Sequence, residues 1–373
     1  MSAIILRYLL IQRLGNVNLN HGKEFSVSVI RFGIVGSGYM GKTHAEAVHR
    51  LPNAELVAVA GGTRAPELAK QYAVDLEDVD TLLRRSDIDA VVITTPHHLH
   101  YEQAMLAMQE NKHVLAEKPL ATSVDDCNQM INLAAKNKLI LGVGYHQRFR
   151  VNNYTARAQI KEGAIGDVVS IQVSMPTYAG AMQAGGIGSD YGWWNDPASL
   201  GHIMNSAPHG IDLLRWFMDE EVVTVSSFSR TFLPGVPVED TTMANIEFSN
   251  GAICSIFSSR ALPATAFIGE EYRFRIMGTT GLMDLDPYGE LRISDENGWR
   301  VVSKQPAVGH QGANSAYSDV RMQAYCDQIS SFIDLIEGRP GNIGVGKDGM
   351  AAVQACLAML ESSAERKWVS LTN

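Results

Sequence analysis

In the first part of the chain, short apolar runs alternate with stretches whose apolar residues recur at helical spacing. The runs fall at residues 29–35, 56–60, 90–94, 113–116 and 139–144, and the helical stretches at 42–51, 66–72, 99–110 and from 122–123 onward. That rhythm predicts parallel βαβ units. Thr122 and Ser123 each precede an acid by three positions, Asp125 and Asp126, the spacing of a capping box with Asp in place of Glu. Past residue 150 the texture changes. Strand candidates at 168–173, 222–229, 242–248, 252–258, 273–277 and 291–293 predict an antiparallel or mixed sheet. Asn250-Gly251 separates two of them and predicts a hairpin turn with both residues at positive φ. Residues 180–199 hold five glycines with Trp193 and Trp194 and lack periodicity, as expected of a long loop bordering a ligand site.

Composition narrows the function without naming it. A chain of 373 residues exceeds what one core usually organises, so two domains are expected. A formal charge of -9 disfavours nucleic acid or an anionic membrane surface as partner, which leaves small molecules. Cys127, Cys254, Cys326 and Cys356 are far apart and form no C-x-x-C pair, so reduced thiols in a cytoplasmic protein are expected rather than a disulfide framework or a zinc cage. The chain holds no run of 18 or more apolar residues, and residues 1–25 lack the features of a secretory signal; they are expected to be an appended arm or the product of a misplaced start codon.

The apolar run 29–35 leads directly into Gly36-Ser37-Gly38-Tyr39-Met40-Gly41 and then a helical stretch, the context in which G-x-G-x-x-G binds a dinucleotide. Gly36 permits the tight turn, Gly38 lets backbone approach a pyrophosphate, and Gly41 allows close packing, with Tyr39 and Met40 between them at the helix start. An acid about 20 residues further on usually holds the ribose of NAD. Here the second run ends in Gly61-Gly62-Thr63-Arg64, without a carboxylate, and Thr63 with Arg64 suits a 2′-phosphate. NADP is therefore favoured over NAD. His97, His98 and His100 lack a completing carboxylate or cysteine, and no metal site is expected.

Two further motifs resemble the Gfo/Idh/MocA oxidoreductases, whose members act mainly on sugars, cyclitols and related polyols. Thr95-Pro96-His97-His98-Leu99-His100 is similar to the family's T-P-x-x-x-H, and residues 114–121, containing Glu117-Lys118-Pro119, to its V-L-x-E-K-P-L-A. Residues 144–149 resemble the start of its interdomain segment, residues 209–216 its H-x-x-D-L-x-x-W helix, and Gly278-Thr279-Thr280-Gly281 a later turn. The resemblance implies a Rossmann α/β domain followed by an α+β domain with a large, mostly antiparallel open sheet. The expected division is an extension at 1–25, an NAD(P)-binding domain at 26–148 and a substrate-binding and oligomerisation domain at 149–373. It further implies catalytic Lys118 and His209, a Lys118-Pro119 bond in the cis form, and a homodimer or homotetramer. Substrate would meet Lys118, His146, Trp194, Asn205 and His209. Cofactor would meet the glycine turn, Thr63, Arg64, Thr95, Pro96, His100, Glu117 and Lys118.

Chemically, a lysine at a strand end opposes negative charge on a substrate oxygen, and a histidine exchanges the proton of the reacting hydroxyl. Asn205 stands where the family usually has Asp; an amide orients a hydroxyl but is no base. The function expected is hydride transfer between NAD(P) and a secondary alcohol or ketone of a sugar, cyclitol or polyol. The alternatives are an NAD-dependent glycoside hydrolase of the same family and a non-catalytic cofactor-binding regulator.

Overall fold

The computed structural model describes residues 29–178, 192–262, 272–305 and 317–371. The extension at 1–25 and residues 180–191 of the glycine-rich loop lie outside the described residues. The first sheet is built from β1 (Ile30–Val35), β2 (Ala54–Ala60), β3 (Asp75–Glu77), β4 (Ala90–Ile93), β5 (His113–Ala116) and β6 (Leu141–Val143), joined by α1 (Tyr39–His49), α2 (Ala65–Tyr72), α3 (Val79–Arg84), α4 (His100–Gln109) and α5 (Val124–Asn137). Its order is β3-β2-β1-β4-β5-β6 with every neighbour parallel, the doubly wound dinucleotide-binding arrangement. Phe32, Ile34 and Val35 on β1 are fully buried, because a parallel strand is covered on both faces. Each such large side chain contributes about 1.5–3 kcal/mol on burial. Ser123 caps α5 by accepting the Asp126 N–H at 3.0 Å, which is the N-cap half of the predicted box. The short β3 and α3 carry too few residues for a periodicity to show.

The second part opens with α6 (Val151–Lys161) and β7 (Val168–Tyr178), followed by α7 (Gly201–Met218), β8 (Val222–Arg230), β9 (Thr241–Phe248), β10 (Ile253–Leu262), β11 (Arg273–Gly278), β12 (Leu282–Leu285), β13 (Glu290–Asp295) and β14 (Gly298–Lys304). After them come α8 (Asp319–Ile336), β15 (Gly344–Val345), α9 (Gly346–Glu365) and β16 (Val369–Ser370). The sheet runs β14-β13-β12-β11-β7-β10-β9-β8-β16, antiparallel except for the β7–β10 pair. Along β9, Thr242, Ala244, Ile246 and Phe248 are buried while Met243 and Glu247 point out, the alternation of a sheet packed on one face. Helices α7 and α9 cover that inner face.

The Asn250-Gly251 turn differs from expectation. Only Gly251 has positive φ, at 83°, and its N–H donates to Phe248 O at 2.8 Å while Phe248 N donates to Ala252 O at 2.9 Å. Ser249, Asn250 and Gly251 thus form a three-residue loop, a type I turn with glycine at the bulge, which needs one left-handed residue rather than two.

Late segments return to the first sheet. β15 pairs antiparallel with β6, and α8 lays Met322, Tyr325, Ile329 and Phe332 into the core that contains Phe32 and Ile34. The two parts are thereby held together by apolar packing as well as by the connection at residues 144–150.

Candidate active site

The site lies outside the carboxyl ends of β1, β4 and β5, at the point where strand order reverses. Gly36 has φ +107°, and a side chain there would strike Thr94; one at Gly41 would collide with the Gly36 carbonyl. Space over Gly38 is open, with nothing within 4 Å of where a Cβ would stand. Gly38 begins α1 without a side-chain cap, so the N–H groups of Tyr39, Met40 and Gly41 head the helix without intrahelical acceptors. This is a cradle for a pyrophosphate, and it fits a dinucleotide. Beside it the Arg64 N–H donates to Ser37 Oγ at 3.2 Å, Thr63 is exposed, and no carboxylate ends β2.

At the end of β5 the Lys118-Pro119 bond is cis, as the resemblance implies. Glu117 is buried and its Oε1 pairs with His44 Nε2 at 2.9 Å, while its Oε2 accepts the Lys118 N–H at 3.2 Å. Burial opposes ionisation of Glu117, but the hydrogen bond and charge of His44, with Lys118, outweigh it and hold the carboxyl below its usual range. Lys118 Nζ reaches across to α7, donating to Asn205 O at 2.7 Å and to Asn205 Oδ1 at 3.2 Å. Burial lowers its ammonium from the usual value, against the neighbouring Glu117 charge.

His209 lies one helical turn beyond Asn205. Its ring stands edge-on to His146 at 4.9 Å and to Tyr145 at 6.1 Å, and its Nδ1 is buried without a hydrogen-bond partner. Burial and then the Lys118 charge push its pKa down to about 3, so the imidazole is neutral near pH 7. His146 in turn stacks on Tyr325 of α8 at 4.6 Å. Trp193 sets its edge against His97 at 4.7 Å and against Trp194 at 5.9 Å. The structure thus gathers Lys118, His146, Asn205 and His209, with Glu117 behind them, and places Trp194 on the adjoining turn at Gly192–Asn195.

His100 sits between the two motif turns. It is fully buried, with Nδ1 at 2.8 Å from Pro119 O and Nε2 at 2.8 Å from Thr95 O; burial lowers its pKa, so the ring carries one N–H and donates to one of these carbonyls while filling the space between the Thr95-Pro96 and Lys118-Pro119 turns. Thr95 Oγ1 donates to Gln103 at 2.6 Å, and Pro96 leads into the short helical turn at His97–Leu99. Among the described residues no group of three His, Cys, Asp or Glu is placed to hold a metal, and no helix is long and apolar enough to cross a membrane. The four cysteines are free.

Several residues at the site escaped the sequence reading. His202 stands three residues before Asn205 and seven before His209, on the same face of α7, and both of its ring nitrogens are buried without partners. That helical spacing was the available signal. His44, Arg150, Arg321 and Tyr325 carried none, since what they meet here is supplied by distant parts of the chain.

A glycine cradle for a dinucleotide, with a lysine and a neutral histidine facing each other beyond its nicotinamide end, defines a nicotinamide-dependent oxidoreductase. Residues 30–145 match the model of the oxidoreductase family with NAD-binding Rossmann fold, and residues 154–284 match the GFO/IDH/MocA C-terminal domain. The chain belongs to the Gfo/Idh/MocA oxidoreductase family. It is 27% identical over 357 residues to an inositol 2-dehydrogenase of Rhizobium meliloti, covering 92% of this chain and 99% of that one. A levoglucosan dehydrogenase of Pseudarthrobacter phenanthrenivorans is likewise 27% identical over 396 residues, covering 92% of this chain and 98% of its own. The crystal structure of scyllo-inositol dehydrogenase from Lactobacillus casei with NAD(H) and scyllo-inositol shares the fold, with a TM-score of 0.75 at 23% identity over 92% of this chain and 99% of that chain.

Proposed function

We propose that the chain oxidises a secondary alcohol of a sugar, cyclitol or related polyol, or reduces the corresponding ketone, with Lys118 and His209 handling the proton. The observation that carries this reading is the Lys118 Nζ to Asn205 bridge, which sets the amine across from His209. A bound nicotinamide dinucleotide supplies the hydride acceptor or donor. Lys118 holds the substrate oxygen and opposes the negative charge that develops on it. The neutral His209 imidazole takes the hydroxyl proton. A proton on either group disfavours one on the other, so the two titrate as a pair. Asn205 spends its carbonyl oxygens on Lys118 and orients rather than deprotonates. Inositol and levoglucosan dehydrogenases among the relatives support a cyclic polyol or anhydrosugar as substrate.

The cofactor preference follows from β2, where Gly61, Gly62, Thr63 and Arg64 leave space and positive charge for a 2′-phosphate. The test is absorbance at the reduced-nicotinamide band with a panel of cyclitols, sugars and anhydrosugars and either NADP or NAD. Turnover of at least one polyol is expected. Arg64→Ala is expected to raise KM for NADP about 10-fold while leaving NAD within about 2-fold, the loss of one charge-assisted hydrogen bond. Equal effects on both cofactors would remove the NADP assignment.

The second sheet's outer face supports self-association. Phe228, Met243 and Phe257 are in register on β8, β9 and β10, and Phe228 and Met243 are 68% and 61% exposed. A cross-strand apolar row of this kind fits a second copy of the chain, forming a homodimer or homotetramer. Light scattering is expected to give an oligomer for the native chain and a smaller species for Met243→Glu. A monomeric native chain would sink the assignment.

A further inference from the structure

Arg150 is the first residue after the helical turn at His146–Phe149, and its backbone carbonyl starts α6 by accepting the Tyr154 N–H at 2.9 Å. Its side chain is 3% exposed and stacks on the Tyr288 ring, with Cζ 4.8 Å from the centroid. Nε and Nη1 are buried with no hydrogen-bond partner. Among the described residues no carboxylate lies within ion-pair distance of it. By contrast Arg148 is engaged by Asp212 and Asp348, and Arg321 by Thr43. A buried cation with two unspent donors is costly to keep and marks a place where an anion arrives.

Its surroundings say which anion. The charge of Arg150 acts on His209 and His146, and on Tyr39 and Tyr325. The pyrophosphate cradle at α1 has its own N–H donors, and the Tyr39 ring already carries the Arg321 guanidinium at 4.6 Å. Tyr288, on which Arg150 rests, belongs to the turn between β12 and β13 in the second part of the chain. The cation is therefore held from the substrate side. Arg150 follows directly on the turn whose His146 ring lies 4.9 Å from that of His209, which puts a second cation on the side of the site where a substrate hydroxyl would meet His209.

We propose that Arg150 binds a carboxylate of the substrate, making the preferred substrate a sugar acid or other hydroxy-carboxylate rather than a neutral polyol. This rests on the proposed function and narrows its substrate class. A guanidinium offers a carboxylate paired donors along an edge, and the Tyr288 ring keeps the Arg150 plane fixed.

The test pairs neutral probes with acidic ones, D-glucose and myo-inositol against D-glucuronate and D-gluconate, on the cofactor-saturated enzyme. Turnover and the ligand-induced rise in melting temperature are both read. The native enzyme is expected to favour an acid over its neutral counterpart. Arg150→Met is expected to lower kcat/KM for the acid, or its binding, about 10- to 100-fold, with neutral probes within about 3-fold. Arg150→Lys is expected to restore part of the loss for the acid alone. Without ligand, Arg150→Met is expected to melt at the same temperature or higher, because the buried unpaired charge is gone.

Four results would overturn the proposal: no preference for acids in the native enzyme, equal losses with acid and neutral probes, a loss of NAD or NADP affinity in Arg150→Met, or a fall of several degrees in its melting temperature. The third would give the anion to the cofactor and the fourth would make Arg150 a structural brace. Turnover of neutral polyols with indifference to acids defeats this proposal and leaves the parent reading standing, whereas failure to bind either cofactor defeats the parent reading itself.

Discussion

Replacing Lys118 by methionine is expected to lower kcat/KM about 1000-fold, within the roughly 10²- to 10⁴-fold range for loss of a positioned proton-transfer group. Methionine keeps the length of the side chain and removes its N–H donors and charge. In the native protein those donors bridge to Asn205 O and Oδ1, and burial has already shifted the amine toward releasing a proton. The loss is expected in kcat, because Lys118 acts on charge that develops during reaction rather than on the resting hydroxyl. Cofactor affinity is expected to stay within about 3-fold, since the pyrophosphate cradle is made of backbone at Gly36 to Gly41. Arginine is not expected to rescue, since it stays protonated and needs room for a planar fork.

The same substitution alters His209. With the Lys118 charge gone, the imidazole loses the second of the three causes that hold its pKa near 3, while burial, the largest, and the Arg150 charge remain. Its folded-state pKa therefore moves up toward the ordinary histidine value. In the native enzyme His209 stays neutral down to about pH 3, so kcat/KM for alcohol oxidation has no acidic limb from His209 between pH 5 and 7. In Lys118→Met the residual activity is expected to begin falling at higher pH than in the native enzyme. Retention of more than a tenth of native kcat/KM would remove Lys118 from the proton path.

What the chain discloses in advance divides along sequence distance. Strands β1, β2, β4 and β5 are legible because a parallel sheet buried on both faces demands unbroken apolar runs, and the glycine turn because its spacing is local. Lys118, Asn205 and His209 are legible because two short motifs carry them. For His100 the motif says that the residue matters, not that its ring lies against two backbone carbonyls. The partners of those motif residues are illegible in principle: His44 meets Glu117 across 73 positions, and Arg321 meets Thr43 across 278. Arg150 is a related case, since what distinguishes it is the want of a partner, and only the folded chain shows that. The hairpin at Asn250-Gly251 was mistaken by one residue in its loop length, because Asn-Gly serves both the two-residue and the three-residue turn.

Asp212→Ala is expected to destabilise the fold by about 3–5 kcal/mol, the cost of leaving a buried charge without its partner. Asp212 is fully buried on α7, three residues past His209. Its Oδ2 accepts from Arg148 Nε at 2.8 Å and its Oδ1 from Arg148 Nη2 at 2.5 Å, and Asp348 of α9 lies 3.2 Å from the same Nη2. Burial pushes the Asp212 carboxyl upward and the Arg148 charge opposes it; a two-pronged set of N–H donors is completed only by a carboxylate, so the pair is ionic. In Asp212→Ala the Arg148 guanidinium keeps only Asp348. A urea titration is expected to show a lower midpoint at unchanged slope. A loss under about 1 kcal/mol would mean that Asp348 alone satisfies Arg148, contrary to the usual cost of breaking such a pair. The combined Asp212→Leu, Arg148→Met protein separates stability from function. It is expected to regain most of the stability, because an apolar pair of similar volume replaces a buried ion pair at little net cost. Turnover is expected to remain depressed. Arg148 lies between His146 and Arg150, and its bond to α7 is what holds that turn in register with His209.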